Sequence, residues 1–275
     1  MTILQAIILG AVQGATEFIP VSSSGHLILV PWMLGWDPST MAFDLATHVG
    51  TLVALVWFFW RDWVAILSSL GRMLVSAKKV DSYTRLQGTI GLWIALACIP
   101  AAIIGVLFGD IIEENLRHPL FVATTISSVA ILMLIVDRIG RKERSWGRAK
   151  LPDWMVIGTA QALALMPGVS RSGITITAGL AMGLTREAAA RCSFLLSLPI
   201  TTGASALVIG KAVRAGLSGG ELQAFAVAAM SSAIVGYLCI KFLLNFLQKR
   251  GLAVFCYYRL ALAAIIVGLY FYRGA

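Results

Sequence analysis

The chain has 275 residues, of which 59% are hydrophobic and 13% charged, and its formal net charge is +9. Soluble domains carry roughly 25% charged residues, so this composition excludes a water-soluble globular domain and implies an integral membrane protein. The basic residues sit in short segments between apolar runs, the pattern of membrane-protein loops, which excludes a nucleic-acid-binding domain.

The first run, M-T-I-L-Q-A-I-I-L-G, has no basic n-region and leads straight into Glu17 and Pro20, so it does not read as a signal peptide. A spanning helix needs about 20 apolar residues. The opening apolar pieces, about 2–18 and 26–36, are too short, and the break I-P-V-S-S-S-G separates them. Full spans are expected at about 42–60, 88–109 and 119–137. Two more short pieces, about 153–166 and 174–184, flank the break M-P-G-V-S-R-S-G, and spans follow at about 188–209, 222–244 and 253–272. The expected fold is an all-α polytopic membrane protein with six transmembrane helices plus two re-entrant helix hairpins. Broken backbone at membrane depth is tolerated only when buried in protein or lining a polar cavity, so both breaks should face one. Cys98, Cys192, Cys239 and Cys256 are isolated in apolar segments and read as small hydrophobes.

Lysine and arginine give the orientation. Segment 61–87 carries Arg61, Arg72, Lys78, Lys79 and Arg85, and segment 138–152 carries Arg138, Arg141, Lys142, Arg144, Arg148 and Lys150. The other face has the acidic segment G-D-I-I-E-E-N-L-R-H, with Lys211 and Arg214. The positive-inside rule makes the first face cytoplasmic and puts both termini outside. The segment R-K-E-R-S-W-G-R-A-K reads as a topology determinant or a lipid-headgroup contact.

A shift of 148 positions superposes the two breaks. Gly10 falls on Gly158, Gln13 on Gln161, Val21 on Val169, Ser22 on Ser170, Ser24 on Ser172 and Gly25 on Gly173. One membrane domain, 1–275, would thus consist of a first repeat of about 1–140 and a second of about 150–275. Each unit holds one hairpin and three spans, so the second begins on the opposite face and the repeats are inverted. Their tips should meet near the midplane, where sites of inverted-repeat proteins lie.

Each break precedes a half-helix N-terminus, whose free N–H groups and dipole favour an anion. The second tip adds Arg171, whose planar fork suits phosphate. Ser22, Ser23, Ser24, Ser170, Ser172 and Thr175 supply further donors. The pattern is a phosphate cradle inside a membrane, for an amphiphilic phosphorylated substrate. Glu17 would repel such a ligand unless a divalent cation, Mg²⁺ or Ca²⁺, lies between them, with Gln13 one turn earlier as a second ligand. His26 has the chemistry of a general base or nucleophile. Bland roles stand beside these: serines that only satisfy a broken backbone, a structural Glu17–Arg171 ion pair, and Asp44 with His48 as a supporting polar pair.

At these residues the chain resembles the undecaprenyl-pyrophosphate phosphatases of the BacA/UppP type. The first motif appears as Gln13-Gly-Ala-Thr-Glu17-Phe-Ile-Pro20-Val-Ser22-Ser23-Ser24-Gly25-His26. The second appears as Pro167-Gly168-Val-Ser170-Arg171-Ser172-Gly173-Ile-Thr175, and the resemblance spans the whole length, including S-F-L-L-S-L-P at 193–199. It implies a bacterial inner-membrane hydrolase that converts a polyprenyl diphosphate to the monophosphate carrier lipid of peptidoglycan synthesis, with bacitracin resistance as a correlate. It also implies Glu17 and Gln13 at the metal, Arg171 on the diphosphate, and Gly25, Gly168 and Gly173 in the substrate loops. Ser23 and His26 become rival nucleophiles, with water a third choice. Many members have Glu where this chain has Gln13, so a two-carboxylate metal site is not implied here. A polyprenyl-phosphate transporter or flippase is the competing expectation, since inverted repeats also suit alternating access. The expected partners are the lipid substrate and the bilayer; a homodimer is left open. The first hairpin enters from outside, which favours an extracytoplasmic active site.

Overall fold

The computed structural model describes residues 1–76, 80–116, 118–215 and 219–272. Of the basic residues used for orientation, Lys78 and Lys79 lie outside the described residues, as do Arg117 and the side chains of Lys211 and Arg214. Ten α-helices are described: α1 Ile3–Phe18, α2 Ser23–Leu34, α3 Met41–Ser76, α4 Ser82–Asn115, α5 Pro119–Ile139, α6 Leu151–Ala162, α7 Arg171–Ala181, α8 Arg186–Ala215, α9 Gly219–Lys249 and α10 Ala253–Tyr272. Among the described residues the only β pairing is an isolated bridge between Arg144 and Leu184. The protein is an all-α polytopic membrane protein.

Among the described residues five helices are long and apolar enough to cross a membrane: Ala42–Val75, Ser82–Gly109, Pro119–Ile139, Glu221–Lys249 and Ala253–Tyr272. The sixth expected span, about 188–209, falls within α8, where the side chains of 204 and 207–215 lie outside the described residues. Its residues Ala188, Ala189, Ala190, Cys192, Phe194, Leu195 and Leu196 are buried against protein.

Segment 61–87, expected as a loop, is mostly helical. α3 passes one non-helical residue, Phe59 (φ −102°, ψ 15°), and continues to Ser76, and α4 begins at Ser82. The extension is held by packing: Ile66 and Ser69 are buried, and Gly88 and Gly91 of α4 lie close against them. Basic residues there interrupt the hydropathy without interrupting the helix.

Segment 138–152 is tied down internally. Arg144 pairs with Asp153 through two bonds of 2.6 and 3.0 Å, and Lys142 Nζ donates to the carbonyls of Asp137 (2.8 Å) and Gly140 (2.7 Å). Asp137 also accepts from Arg186 Nε at 2.5 Å and from the Leu252 N–H at 3.0 Å. Two cations of a segment read as a topology determinant or a lipid-headgroup contact thus also fasten it to α6 and α5.

The short helices are wedged between long ones. α1 packs on α9 so closely that a Cβ on Gly10 would stand 2.4 Å from the Ala228 carbonyl oxygen. Gly158 makes the corresponding approach of α6 to α4, where a Cβ would stand 2.0 Å from the Ala97 carbonyl oxygen. Phe18 closes the inner end of α1 edge-on against Phe194 of α8, with ring centroids 5.5 Å apart. These contacts carry the last residues of α1 and the ends of the breaks into the protein interior.

Candidate active site

Both breaks end in the same local structure. Ser22 (φ 79°, ψ 94°) caps α2 and Ser170 (φ 70°, ψ 112°) caps α7. Positive φ strains a serine, by roughly 1–3 kcal/mol, so the surroundings must enforce it. Each capping hydroxyl accepts from the N–H three residues on, Gly25 at 3.4 Å and Gly173 at 3.2 Å. Each also lies 3.3 Å from the second serine of its loop, Ser24 or Ser172. The residue after each cap is the first of its helix: Ser23 on α2 and Arg171 on α7.

Those two first residues meet at Glu17. Ser23 Oγ donates to Glu17 Oε2 at 2.7 Å, and Arg171 Nη2 donates to Oε1 at 2.8 Å. Gln13 Nε2 donates to Oε2 at 2.9 Å, as its position one turn earlier on α1 requires. His48 Nε2 stands 3.9 Å from the same oxygen, while its Nδ1 donates to the Asp44 carbonyl at 2.8 Å. Glu17 is buried with side-chain exposure of 8%, and Arg171 with 14%, so water screens this pair little.

Two buried atoms in the cluster have no partner. Gln13 Oε1 is a spare acceptor, and Arg171 Nη1 is a spare donor. Buried polar atoms are nearly always satisfied, and the exceptions point to a ligand. A carboxylate beside a spare amide oxygen fits Mg²⁺ or Ca²⁺, which take oxygen ligands and often share them with phosphate. A spare guanidinium N–H fits a phosphate oxygen. Among the described residues no group of three His, Cys, Asp or Glu side chains could hold a metal, so a cation here would take further oxygens from its ligand and water.

The other expected residues divide in two. Ser24 is exposed at the tip, and Ser22, Ser170 and Ser172 are buried in the caps. Thr175 is fully buried, its hydroxyl donating to the Arg171 carbonyl at 2.6 Å and lying 2.6 Å from Ser193 Oγ, so it supports the loop from behind. Gly168 has φ +90°, and a Cβ there would stand 2.2 Å from Thr125 Oγ1. His26 has both ring nitrogens engaged away from Glu17: Nδ1 donates to the Ser22 carbonyl at 2.7 Å, and Nε2 is 2.6 Å from the Tyr258 hydroxyl.

The sequence favoured a supporting place for His48 beside a direct one, and Tyr258 and Arg259 were not singled out from it. Arg259 did carry a signal, as an ionisable residue inside the expected span of about 253–272, whereas Tyr258 carried none. A cavity of about 630 Å³ adjoins the site, lined by Gly25, Leu29, Trp32, Val122, Ile266 and Tyr270 among others. Gly25 belongs both to this apolar wall and to the serine loop.

Residues 6–265 match the family described as "Bacitracin resistance protein BacA". The chain is 47% identical over 275 residues to a protein of Thermodesulfovibrio yellowstonii named undecaprenyl-diphosphatase, covering 99% of each. It is 45% identical to one of that name from Moorella thermoacetica, covering 99% of this chain and all of the relative. A third, from Rubrobacter xylanophilus, is 44% identical over 271 residues, 98% of each chain. With a match over nearly its whole length and relatives this similar from end to end, the chain belongs to the BacA family.

Proposed function

We propose that this protein is an undecaprenyl-diphosphate phosphatase, which removes the terminal phosphate and returns the monophosphate carrier to cell-wall synthesis. The observation that carries the reading is the Glu17 carboxylate, bonded at once to the hydroxyl of Ser23 and the guanidinium of Arg171 between two helix N-termini. An anion-binding site built only for transport has little use for a buried carboxylate facing its ligand, so the enzyme reading is preferred to a flippase.

In the proposed reaction the terminal phosphate enters between the caps. Arg171, with its spare Nη1, takes the phosphate oxygens and spreads the charge that develops there. Ser23 Oγ attacks the terminal phosphorus and its proton passes to Glu17 Oε2, already hydrogen-bonded to it. The bond from that phosphorus to the bridging oxygen breaks, and the polyprenyl monophosphate leaves. Glu17 gives that proton to the departing monophosphate, takes one from the water that attacks the phosphoserine, and returns it to Ser23 Oγ as phosphate is released. Glu17 and Gln13 Oε1 would hold a divalent cation, which when bound supplies Lewis-acid neutralisation of the diphosphate charge. His26, fixed by Ser22 and Tyr258, orients the first turn of α2. The apolar cavity that meets the serine loop at Gly25 takes the first units of the prenyl chain.

The two halves, about 1–140 and 150–275, are read as inverted repeats. The matching serine caps, and the matching approaches of Gly10 to α9 and Gly158 to α4, support that reading. The protein is assigned to the bacterial inner membrane, with its termini and active site on the extracytoplasmic side. Purified protein in detergent, given a C55 polyprenyl diphosphate and Mg²⁺, should release one phosphate per substrate. No phosphate from any polyprenyl diphosphate, with either Mg²⁺ or Ca²⁺, would end this reading.

A further inference from the structure

Arg259 of α10 is wholly buried. Its guanidinium donates to four backbone carbonyls: Nε to Ile126 (3.2 Å), Nη1 to Pro20 (3.4 Å), and Nη2 to Gly168 (2.9 Å) and Val169 (3.2 Å). Pro20 lies in the first break, Gly168 and Val169 in the second, and Ile126 on α5. One side chain therefore grips both breaks. Among the described residues no carboxylate forms an ion pair with it.

Broken helices leave carbonyls that must be satisfied within the protein. A hydroxyl does this for one carbonyl at a time, as Thr125 Oγ1 does for Pro167 at 2.6 Å. A forked, permanently charged group does it for both breaks together and fixes their separation. The peptide bonds are all trans among the described residues, so a carbonyl turned toward Arg259 turns the following N–H away from it. The Ser170 N–H, at the cap of α7, is aimed by this means.

We propose that Arg259 is a positioning residue for phosphoryl transfer. It sets the two breaks so that Ser23 and Arg171 meet at Glu17, and it places an unpaired positive charge behind the loops that receive the diphosphate. This rests on the phosphatase reading above. A merely structural arginine would satisfy the same carbonyls without affecting turnover per folded molecule.

The test uses the full chain in detergent, with Arg259→Lys, Arg259→Gln and, as a control in the loop before α6, Arg144→Lys. Turnover of a polyprenyl diphosphate, melting temperature and the rise in melting temperature caused by inorganic pyrophosphate are measured for each. Arg259→Lys keeps the charge but loses the fork, so kcat per folded molecule should fall about a hundredfold, with KM changed less than about threefold. Arg259→Gln should lose kcat, raise KM and lose the stabilisation by pyrophosphate. Arg144→Lys should melt earlier with kcat unchanged.

An unchanged kcat per folded molecule in Arg259→Lys overturns the proposal. So does failure of both Arg259 variants to fold, which would assign the residue to the fold alone. Should the wild type release no phosphate, the phosphatase reading fails separately, and the pyrophosphate arm still decides on Arg259. Stabilisation kept by Lys and lost by Gln supports the proposal, and equal stabilisation in both overturns it.

Discussion

Ser23 and Arg171 hold the same place in two different helices, the first residue after a positive-φ serine cap, and each donates to a different oxygen of Glu17, at 2.7 and 2.8 Å. Sequence neighbours could not create this pairing, because Arg171 is 154 residues from the carboxylate. It is made by driving two short helices toward each other inside a bundle of long ones.

Glu17→Gln should lose at least about a hundredfold in turnover, since it keeps the shape but not the proton acceptor. Arg171→Ala should lose a similar factor. It also leaves a buried carboxylate unpaired, which costs about 3–5 kcal/mol. Phosphate release and melting temperature, measured together, separate the two effects. Near-normal turnover in Glu17→Gln would remove the proposed base.

The nucleophile can be read from three substitutions. Ser23→Ala should abolish both turnover and any trapped phosphoenzyme. Tyr258→Phe, which takes away the hydroxyl on His26 Nε2, should retain most activity, and His26→Ala should lose less than Ser23→Ala. Acid-stable phosphate on the wild-type chain would fit phosphoserine. An acid-labile phosphate lost in His26→Ala would move the attack to the imidazole.

Chelation of divalent cations should stop turnover, and Mg²⁺ should restore it. Gln13→Glu places a charged oxygen where the spare Oε1 now lies. The Mg²⁺ concentration for half-maximal activity should then fall by about tenfold, equivalent to about 1.4 kcal/mol. An unchanged metal requirement in this variant would take Gln13 out of the cation site.

Gly10→Val and Gly158→Val should both lower the melting temperature, because each Cβ would collide with a backbone oxygen of the neighbouring long helix. The cost falls in the range of overpacked cores, about 1–3 kcal/mol or more. Insensitivity at either site would mean that the short helix there is not seated as described.

The breaks were legible because Pro, Gly and Ser clusters in apolar chain have few other uses at membrane depth. Glu17, Ser23 and Arg171 stood out for the same reason. The helical extension of α3 past Phe59 was not legible, since Arg61, Asp62 and Arg72 end the hydropathy signal where the helix continues on the packing of Ile66 and Ser69. Nor was the direction of His26, which depends on Tyr258 from a helix 232 residues away. α8 was placed in sequence, but the burial of its first half, Ala188 to Leu196, depends on neighbours that composition does not reveal.

The shift that aligns the serine caps puts Leu165 where Glu17 stands and Ile174 where His26 stands. On the proposed reading the prenyl chain already marks one end of the diphosphate, and two identical loops would offer its terminal phosphate the same donors. The serine caps here are alike, but the residues beside them are not. On that reading only the first loop sets a hydroxyl, that of Ser23, against a carboxylate, so the asymmetry of a few side chains leaves one of two similar tips able to cleave.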